Sequence, residues 1–225
     1  MLQDPLFQSW LLQLQTWAAD GRLVSAGVDA LRLQPGQATE QLKRIANRLA
    51  RGETRDLPPI ELLPGSAMPG AAGAFAQATG TIYLNQDWLQ ASDPKGIVNV
   101  LTEEYGHYLD NQLNKTDTAG DEGAVFAEQL LGAGNNEVPG HISSDLLEED
   151  DHGYININGQ PLAAEFAAFH GTAGNDNITG TLATDYIYGY RGNATLIGSD
   201  GRDVIDGGDG NDIIYERRVN SKGTA

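Results

Sequence analysis

The sequence predicts an α+β fold: a helix-and-hairpin domain over residues 1–165, then an array of short repeats over residues 166–225. Three observations carry that prediction. Apolar residues recur at helical spacing in several segments of the first part. Two extended runs there are each broken by a tight-turn dipeptide. From Gly171 onward the chain repeats every nine residues, and a fixed short period marks an architecture in which each unit completes its neighbour's core.

The elements follow in order. Leu6, Phe7, Trp10, Leu11, Leu14 and Trp17 share one helical face, so a helix spans Leu6–Ala19, started by Asp4-Pro5. Trp10 and Trp17 recur on that face, which suits core packing; a binding groove is the other reading. A second helix covers Thr39–Arg51, with Leu42, Ile45, Ala46 and Leu49 inward and Gly52 as its stop. A proline-bearing link leads to a short strand at Ile60–Leu63. Ala74–Ala78 and Thr81–Asn85 flank Thr79-Gly80 and read as a hairpin. Pro94–Asn114 carries the strongest helical pattern, and another helix runs Thr118–Gly132, starting near Asp121-Glu122. Ser144–Glu149 reads as a short helix. Tyr154–Ile157 and Pro161–Glu165, joined by Asn158-Gly159, form a second hairpin, with a domain boundary at 166–170.

The repeats are GTAGNDNIT, GTLATDYIY, GYRGNATLI, GSDGRDVID and GGDGNDIIY. Glycine opens each unit (Gly171, Gly180, Gly189, Gly198, Gly207), and an aliphatic residue holds the eighth place (Ile178, Ile187, Leu196, Ile205, Ile214). Glycine lets the chain turn with positive φ and brings carbonyl oxygens near an ion. Asp176, Asp185, Asp203 and Asp212 at the sixth place add hard anionic oxygens, the ligand type Ca²⁺ collects roughly six to eight at a time. Without a metal the recurring carboxylates repel one another. The array resembles the RTX (repeat-in-toxin) calcium-binding repeat, G-G-x-G-x-D-x-U-x. That resemblance implies a short parallel β-roll in which two units make one coil and each turn stacks on the turn two units away. It puts Asp185 and Asp203 on one edge and Asp176, Ala194 and Asp212 on the other. Carried onto the matching positions, the calcium-binding residues are Gly171, Gly174, Asp176, Asp185, Gly198, Asp200, Gly201, Asp203, Gly207, Asp209, Gly210 and Asp212. Two units depart from the pattern: Ala194 replaces the Asp of the third, and Ala183 the inner Gly of the second. The first, fourth and fifth turns are the best sites on this reading, and calcium sites are fewer or weaker than in a perfect array.

Residues 102–110 read TEEYGHYLD. Zincin metallopeptidases carry H-E-x-x-H on a helix: two His one turn apart bind Zn²⁺, and the Glu between them is the general base. This segment is similar, with Glu103 at the first His position, Glu104 at the base, His107 at the second His and Asp110 three places on. On a helix Glu103, His107 and Asp110 fall within about 60° of one another. With the preceding strand TIYLN and the following DTAGDEG, the stretch over residues 57–165 resembles a metallopeptidase-like module of bacterial RTX proteins, signature LxEExGHxxD…DTxGDEG. The resemblance implies that Glu103, His107 and Glu122 hold a divalent cation, with Asp121 or Glu128 as substitutes for Glu122. Glu104 is then the general base, and Asp110 orients His107. TIYLN becomes an edge strand on which a polypeptide substrate pairs. Carboxylate in place of imidazole favours Ca²⁺, Mn²⁺ or Mg²⁺ and still permits Zn²⁺. The same residues also fit an ordinary surface helix, with Val98, Leu101, Tyr105, Tyr108 and Gln112 on one side and Asn99, Glu103, His107, Asp110 and Asn114 in water on the other. His141, His152 and His170 have no partner at ligand spacing and read as loop histidines; Glu148–Asp151 reads as a solvated face.

Net charge is −17 over 225 residues, with a sequence pI near 4.4. That argues against nucleic acid or an anionic membrane surface as partner and suits a chain that collects cations. There is no cysteine, so disulfides and thiolate metal sites are excluded. No apolar run is long enough to span a bilayer. The opening MLQDPLFQSWLLQLQTW lacks a basic start and a small-residue cleavage site. The RTX resemblance implies secretion by a signal-peptide-independent, type I route, although ERRVNSKGTA is short for a C-terminal export signal. Three functions stay open: a secreted calcium-binding protein with a metal-dependent peptidase domain, a non-catalytic calcium-dependent adhesion or binding module of a larger secreted protein, and a calcium-triggered folding unit attached to another effector.

Overall fold

The computed structural model describes residues 5–92, 94–131, 152–167, 169–172, 174–180, 185–199 and 203–216. Three helices come first: α1 (Pro5–Asp20), α2 (Arg22–Ala30) and α3 (Gln37–Ala50). Phe7, Trp10, Leu14 and Trp17 form the buried stripe of α1, and Trp10 meets Tyr105 edge-on with ring centroids 5.9 Å apart. Both tryptophans are therefore core. The apolar spacing gives no helix at Arg22–Ala30, yet α2 forms there. Gly21, at φ 89°, turns a corner instead of ending the helical region, and Leu23, Ala26 and Ala30 are buried behind it. Gly27 lets α2 approach α3, since a Cβ there would lie 2.7 Å from Leu42.

A five-stranded sheet follows, built from β1 (Ile60–Leu63), β2 (Gly73–Ala76), β3 (Thr81–Asn85), β4 (His152–Ile157) and β5 (Gln160–Ala167). Its order is β1-β3-β2-β5-β4, with β1 parallel to β3 and the other neighbours antiparallel. Both expected hairpins form. The order corrects one expectation: β3, the TIYLN strand, lies between β1 and β2 and is buried along its length. It is no edge, so its backbone is already paired and cannot take up a substrate strand. A short helix, α4 (Gln86–Ala91), follows at once because the Asn85 side chain accepts from the N–H groups of Asp87 and Trp88.

Helix α5 (Pro94–Leu113) lies on one face of the sheet with α6 (Glu122–Leu131) beside it. Phe75, Ile82 and Leu84 share an apolar cluster with Leu101, Tyr105 and Phe126. Met68, Ala74, Tyr83, Ile155 and Ala164 form a second, smaller cluster. The surface-helix reading of α5 fails, because Asn99, Glu103, His107 and Asp110 are all buried. Gly106 and Gly123 let α5 and α6 touch: a Cβ on Gly106 would come 2.8 Å from the Cα of Gly123. α6 begins at Glu122 and not at Thr118, since Thr118 to Asp121 form the loop that caps it. The expected helix at Ser144–Glu149, the Glu148–Asp151 run and His141 lie outside the described residues.

The repeats form two three-stranded parallel sheets from β6 (Phe169–Thr172), β7 (Asn177–Thr179), β8 (Tyr186–Tyr190), β9 (Thr195–Ser199), β10 (Val204–Asp206) and β11 (Ile213–Glu216). Their orders are β10-β8-β6 and β11-β9-β7. Partners such as Ile178 and Leu196, or Ile187 and Ile205, stand two units apart, so two units make one coil. Phe169 pairs with Ile187, which places β6 one strand ahead of the first glycine-led unit. Phe169 fills the eighth place of a unit that has no opening glycine, so the glycine period does not reveal it. Ile187 and Leu196 are fully buried, whereas Ile214 on the last strand is 47% exposed. Phe169, Ile187, Ala194 and Leu196 belong to the same apolar cluster as the helices, so one core runs through both parts.

Candidate metal centre and repeat array

His107 is the hub of a buried polar site between α5, α6 and β5. Glu122 Oε1 lies 2.9 Å from His107 Nδ1, and Glu165 Oε2 lies 3.2 Å from the same nitrogen. Asp121 Oδ1 approaches the other side of the ring, 3.7 Å from Nε2. Ligand atoms of Glu103, His107 and Asp121 lie within 4.8 Å of one another, as do those of His107, Glu122 and Glu165. The expected trio of Glu103, His107 and Glu122 is therefore divided. Glu122 sits on the Nδ1 side, and Asp121, the expected substitute, joins Glu103 in the other group. Glu128 is in neither group. Glu165 is not legible as a partner in the sequence, because it arrives from a strand far along the chain.

Asp110 has a different role from the one expected. Its carboxylate accepts from the Thr118 hydroxyl (2.6 Å), the Thr118 N–H (3.2 Å) and the Asn114 amide (2.6 Å). It holds the α5–α6 loop, while Glu122 and Glu165 orient His107. Burial pushes the Asp110 carboxyl above the usual carboxylate range, and the bonds from Thr118 and Asn114 pull it back.

The run DTAGDEG becomes intelligible residue by residue. Thr118 anchors to Asp110; Gly120 turns the chain at φ 91°. Asp121 Oδ1 accepts the Ala124 N–H at 2.7 Å and so caps α6 while lying beside His107. Glu122 takes Nδ1. Gly123 must lack a side chain, because a Cβ there would collide with the imidazole, its Cε1 and Cδ2 atoms only 2.6 Å away. Glu104 turns toward the sheet, where a Cβ on Gly73 would lie 2.6 Å from its Oε1. Glu103, Asp121, Glu122 and Glu165 are all buried around one imidazole. An imidazolium balances one of four carboxylates, so the donor set, oxygen-rich with one nitrogen, fits a divalent cation.

In the roll, each sixth-place Asp folds back over the glycine that opens its own unit. A Cβ on Gly180 would lie 2.5 Å from Asp185 Oδ2, and one on Gly207 would lie 2.6 Å from Asp212 Oδ2. The other oxygen reaches the preceding coil: Asp203 Oδ1 accepts the Asp185 N–H (3.1 Å) and Asp212 Oδ1 the Ala194 N–H (2.8 Å). Inner glycines stack so closely that a Cβ on Gly192 would collide with the Gly174 carbonyl, and one on Gly210 with the Gly192 carbonyl. Carboxylate and carbonyl oxygens thus converge in cradles that a methyl group would fill, the donor chemistry of Ca²⁺. Asp209 is an exception: its side chain is exposed, 4.0 Å from Arg191. Asp200 and Gly201 lie outside the described residues. Spacing also hides a second ladder: Asn175 Oδ1 accepts the Asn193 N–H (2.7 Å), and Asn193 Oδ1 accepts the Asn211 N–H (2.8 Å). Its signal, Asn at the fifth place of alternate units, is visible in the sequence.

Residues 169–196 and 188–215 each match the family of RTX calcium-binding nonapeptide repeats (4 copies). The match starts at Phe169, the first residue of β6. No curated protein and no solved structure matches the chain. The repeat region is therefore an RTX-type calcium-binding array, a kind of repeat typical of secreted proteins. No described helix is long and apolar enough to cross a membrane.

Proposed function

We propose that this chain is a calcium-folded module of an exported protein, whose helix–sheet part holds a divalent cation between Glu103, His107 and Asp121. The calcium half rests on one observation: stacked turns whose glycine carbonyls and carboxylates converge at the spacing of the RTX repeat. At low calcium these carboxylates repel one another; at the millimolar level outside cells, within the affinity range of extracellular modules, they draw together. Circular dichroism of the chelated chain tests this, with a gain in strand signal expected on adding calcium and an unchanged spectrum counting against it.

The cation at His107 supports two roles. A peptidase is favoured by the order on α5, where Glu104 directly follows Glu103 and precedes His107 by three residues. A cation bound there would polarise a peptide carbonyl and acidify a water. Glu122 and Glu165 would hold the Nδ1 proton and keep the ring's other nitrogen toward Asp121. Glu104 would accept a proton and return it to the leaving amine. A non-catalytic binding module is favoured by burial: Glu103, Glu104 and His107 have no exposed surface. Closed sites of this kind tie elements together instead of turning over substrate, and turnover here requires the helix pair to open. Metal analysis and peptide cleavage on three proteins separate the roles. For a peptidase, His107→Ala loses both metal and cleavage, and Glu104→Gln loses cleavage alone. Metal bound to the unaltered chain without cleavage establishes the closed centre, and an unaltered chain that takes up no divalent ion beyond its repeats overturns both.

A further inference from the structure

We propose that the ammonium group of Lys95 supplies the cation at the first turn of the roll, so that α5 seeds the roll and Asp176 is not a calcium ligand. This rests on the reading of the repeats as calcium-binding. Lys95 Nζ donates to the Asn175 carbonyl at 3.2 Å and pairs with Asp176 Oδ1. A carboxylate and a backbone carbonyl from one turn are the donors a calcium ion takes. Here an ammonium takes them, with three N–H groups in place of a divalent charge. One helical turn further along α5, Asn99 Nδ2 lies 3.5 Å from the carbonyl of Gly171, the glycine that opens the same unit. The Asp176 side chain is 5% exposed and that of Lys95 49%, so the helix closes the turn while the lysine stem reaches in from its margin.

The rest of that edge fits the same design. Ala194 stands next in line where a carboxylate is expected, and the amide ladder Asn175–Asn193–Asn211 bonds successive turns without charge. The opposite edge keeps Asp185 and Asp203, with Asp203 bonded to the Asp185 N–H. The Asp176 edge thus carries a protein-made cation and an amide ladder, with Asp212 as its remaining sixth-place carboxylate, while the other keeps Asp185 and Asp203 on successive coils. In a stack of coils each unit needs its neighbour. A first coil fixed on α5 gives later coils a template before calcium arrives. Lys95, Asn99, Glu103 and His107 recur every four residues on α5, so the helix that seats the roll also carries the proposed metal centre.

Calcium stoichiometry of the intact 225-residue chain, measured by equilibrium dialysis, tests the assignment on five proteins. The unaltered chain and Asp176→Asn are expected to bind the same number of ions, and Asp203→Asn fewer. Lys95→Gln frees the Asp176 turn and is expected to bind one ion more, with Lys95→Arg restoring the original count. Hydrogen exchange in chelator gives a second readout: the Thr195 N–H, bonded to the Asp176 carbonyl, is expected to exchange about tenfold faster in Lys95→Gln than in the unaltered chain. A lower count in Asp176→Asn, or identical counts and exchange in Lys95→Gln, overturns the proposal while calcium binding stands. An unaltered chain that binds no calcium overturns the underlying reading as well.

Discussion

Gly123 is the position at which one added carbon disturbs the buried His107 site most directly. A Cβ there meets the His107 ring, and the fully buried imidazole has nowhere to retreat. Gly123→Ala is expected to destabilise the chain by about 1–3 kcal/mol in denaturant unfolding and to lower divalent-ion content together with it. A normal ion content would show that His107 does not hold a metal. At this scale the sequence is partly readable. The spacing of Glu103, Glu104 and His107 puts three groups on one helix, because helical period is a local property. It does not separate Asp121 from Glu122, since neighbouring residues at a helix start approach opposite sides of one ring. Nor does it reveal Glu165, whose approach depends on β5 pairing with β2. The role of Asp110 escapes for a similar reason: its partners, Asn114 and Thr118, lie in a loop whose path the helix pattern does not set.

The roll is the element whose chemistry is easiest to alter. Ala194 is buried between coils whose sixth-place residues are Asp176 and Asp212. Ala194→Asp places a carboxylate there, which is expected to cost about 1–3 kcal/mol at limiting calcium and to recover part of that loss at saturating calcium. Thermal unfolding at the two calcium levels reads the difference; an equal penalty at both would show that the position cannot contribute to a calcium site. Asn193→Ala removes one rung of the amide ladder and leaves the Asn211 N–H without that acceptor. The expected cost is about 1 kcal/mol, the same at limiting and at saturating calcium, because no charge is involved. The strand register follows from the period, since a repeat read in one unit applies to all. Helices α2 and α4 do not follow, being short segments set by a corner at Gly21 and a cap at Asn85. The interior place of β3 also escapes local reading, because sheet order depends on partners distant in sequence.

On the scale of the whole molecule, the apolar cluster that joins the helices also contains Phe169, Ile187 and Leu196 of the roll. Phe169 lies against Trp88, ring centroids 6.4 Å apart, and pairs with Ile187. Phe169→Ala is expected to cost about 3–5 kcal/mol. In calcium, tryptophan fluorescence and far-UV dichroism of the unaltered chain are expected to report one coincident transition, and Phe169→Ala to separate them. Coincident transitions in the variant would mean that Phe169 does not couple the parts. Such coupling lets bound calcium consolidate a core that the helices share. Hydrogen exchange on the intact chain tests this central claim most directly, at the Val204 N–H that bonds the Asp185 carbonyl. The expected result is slow exchange in calcium and fast exchange after chelation, with α1 and α3 amides protected in both; equal protection of Val204 in both conditions would contradict a calcium-folded roll.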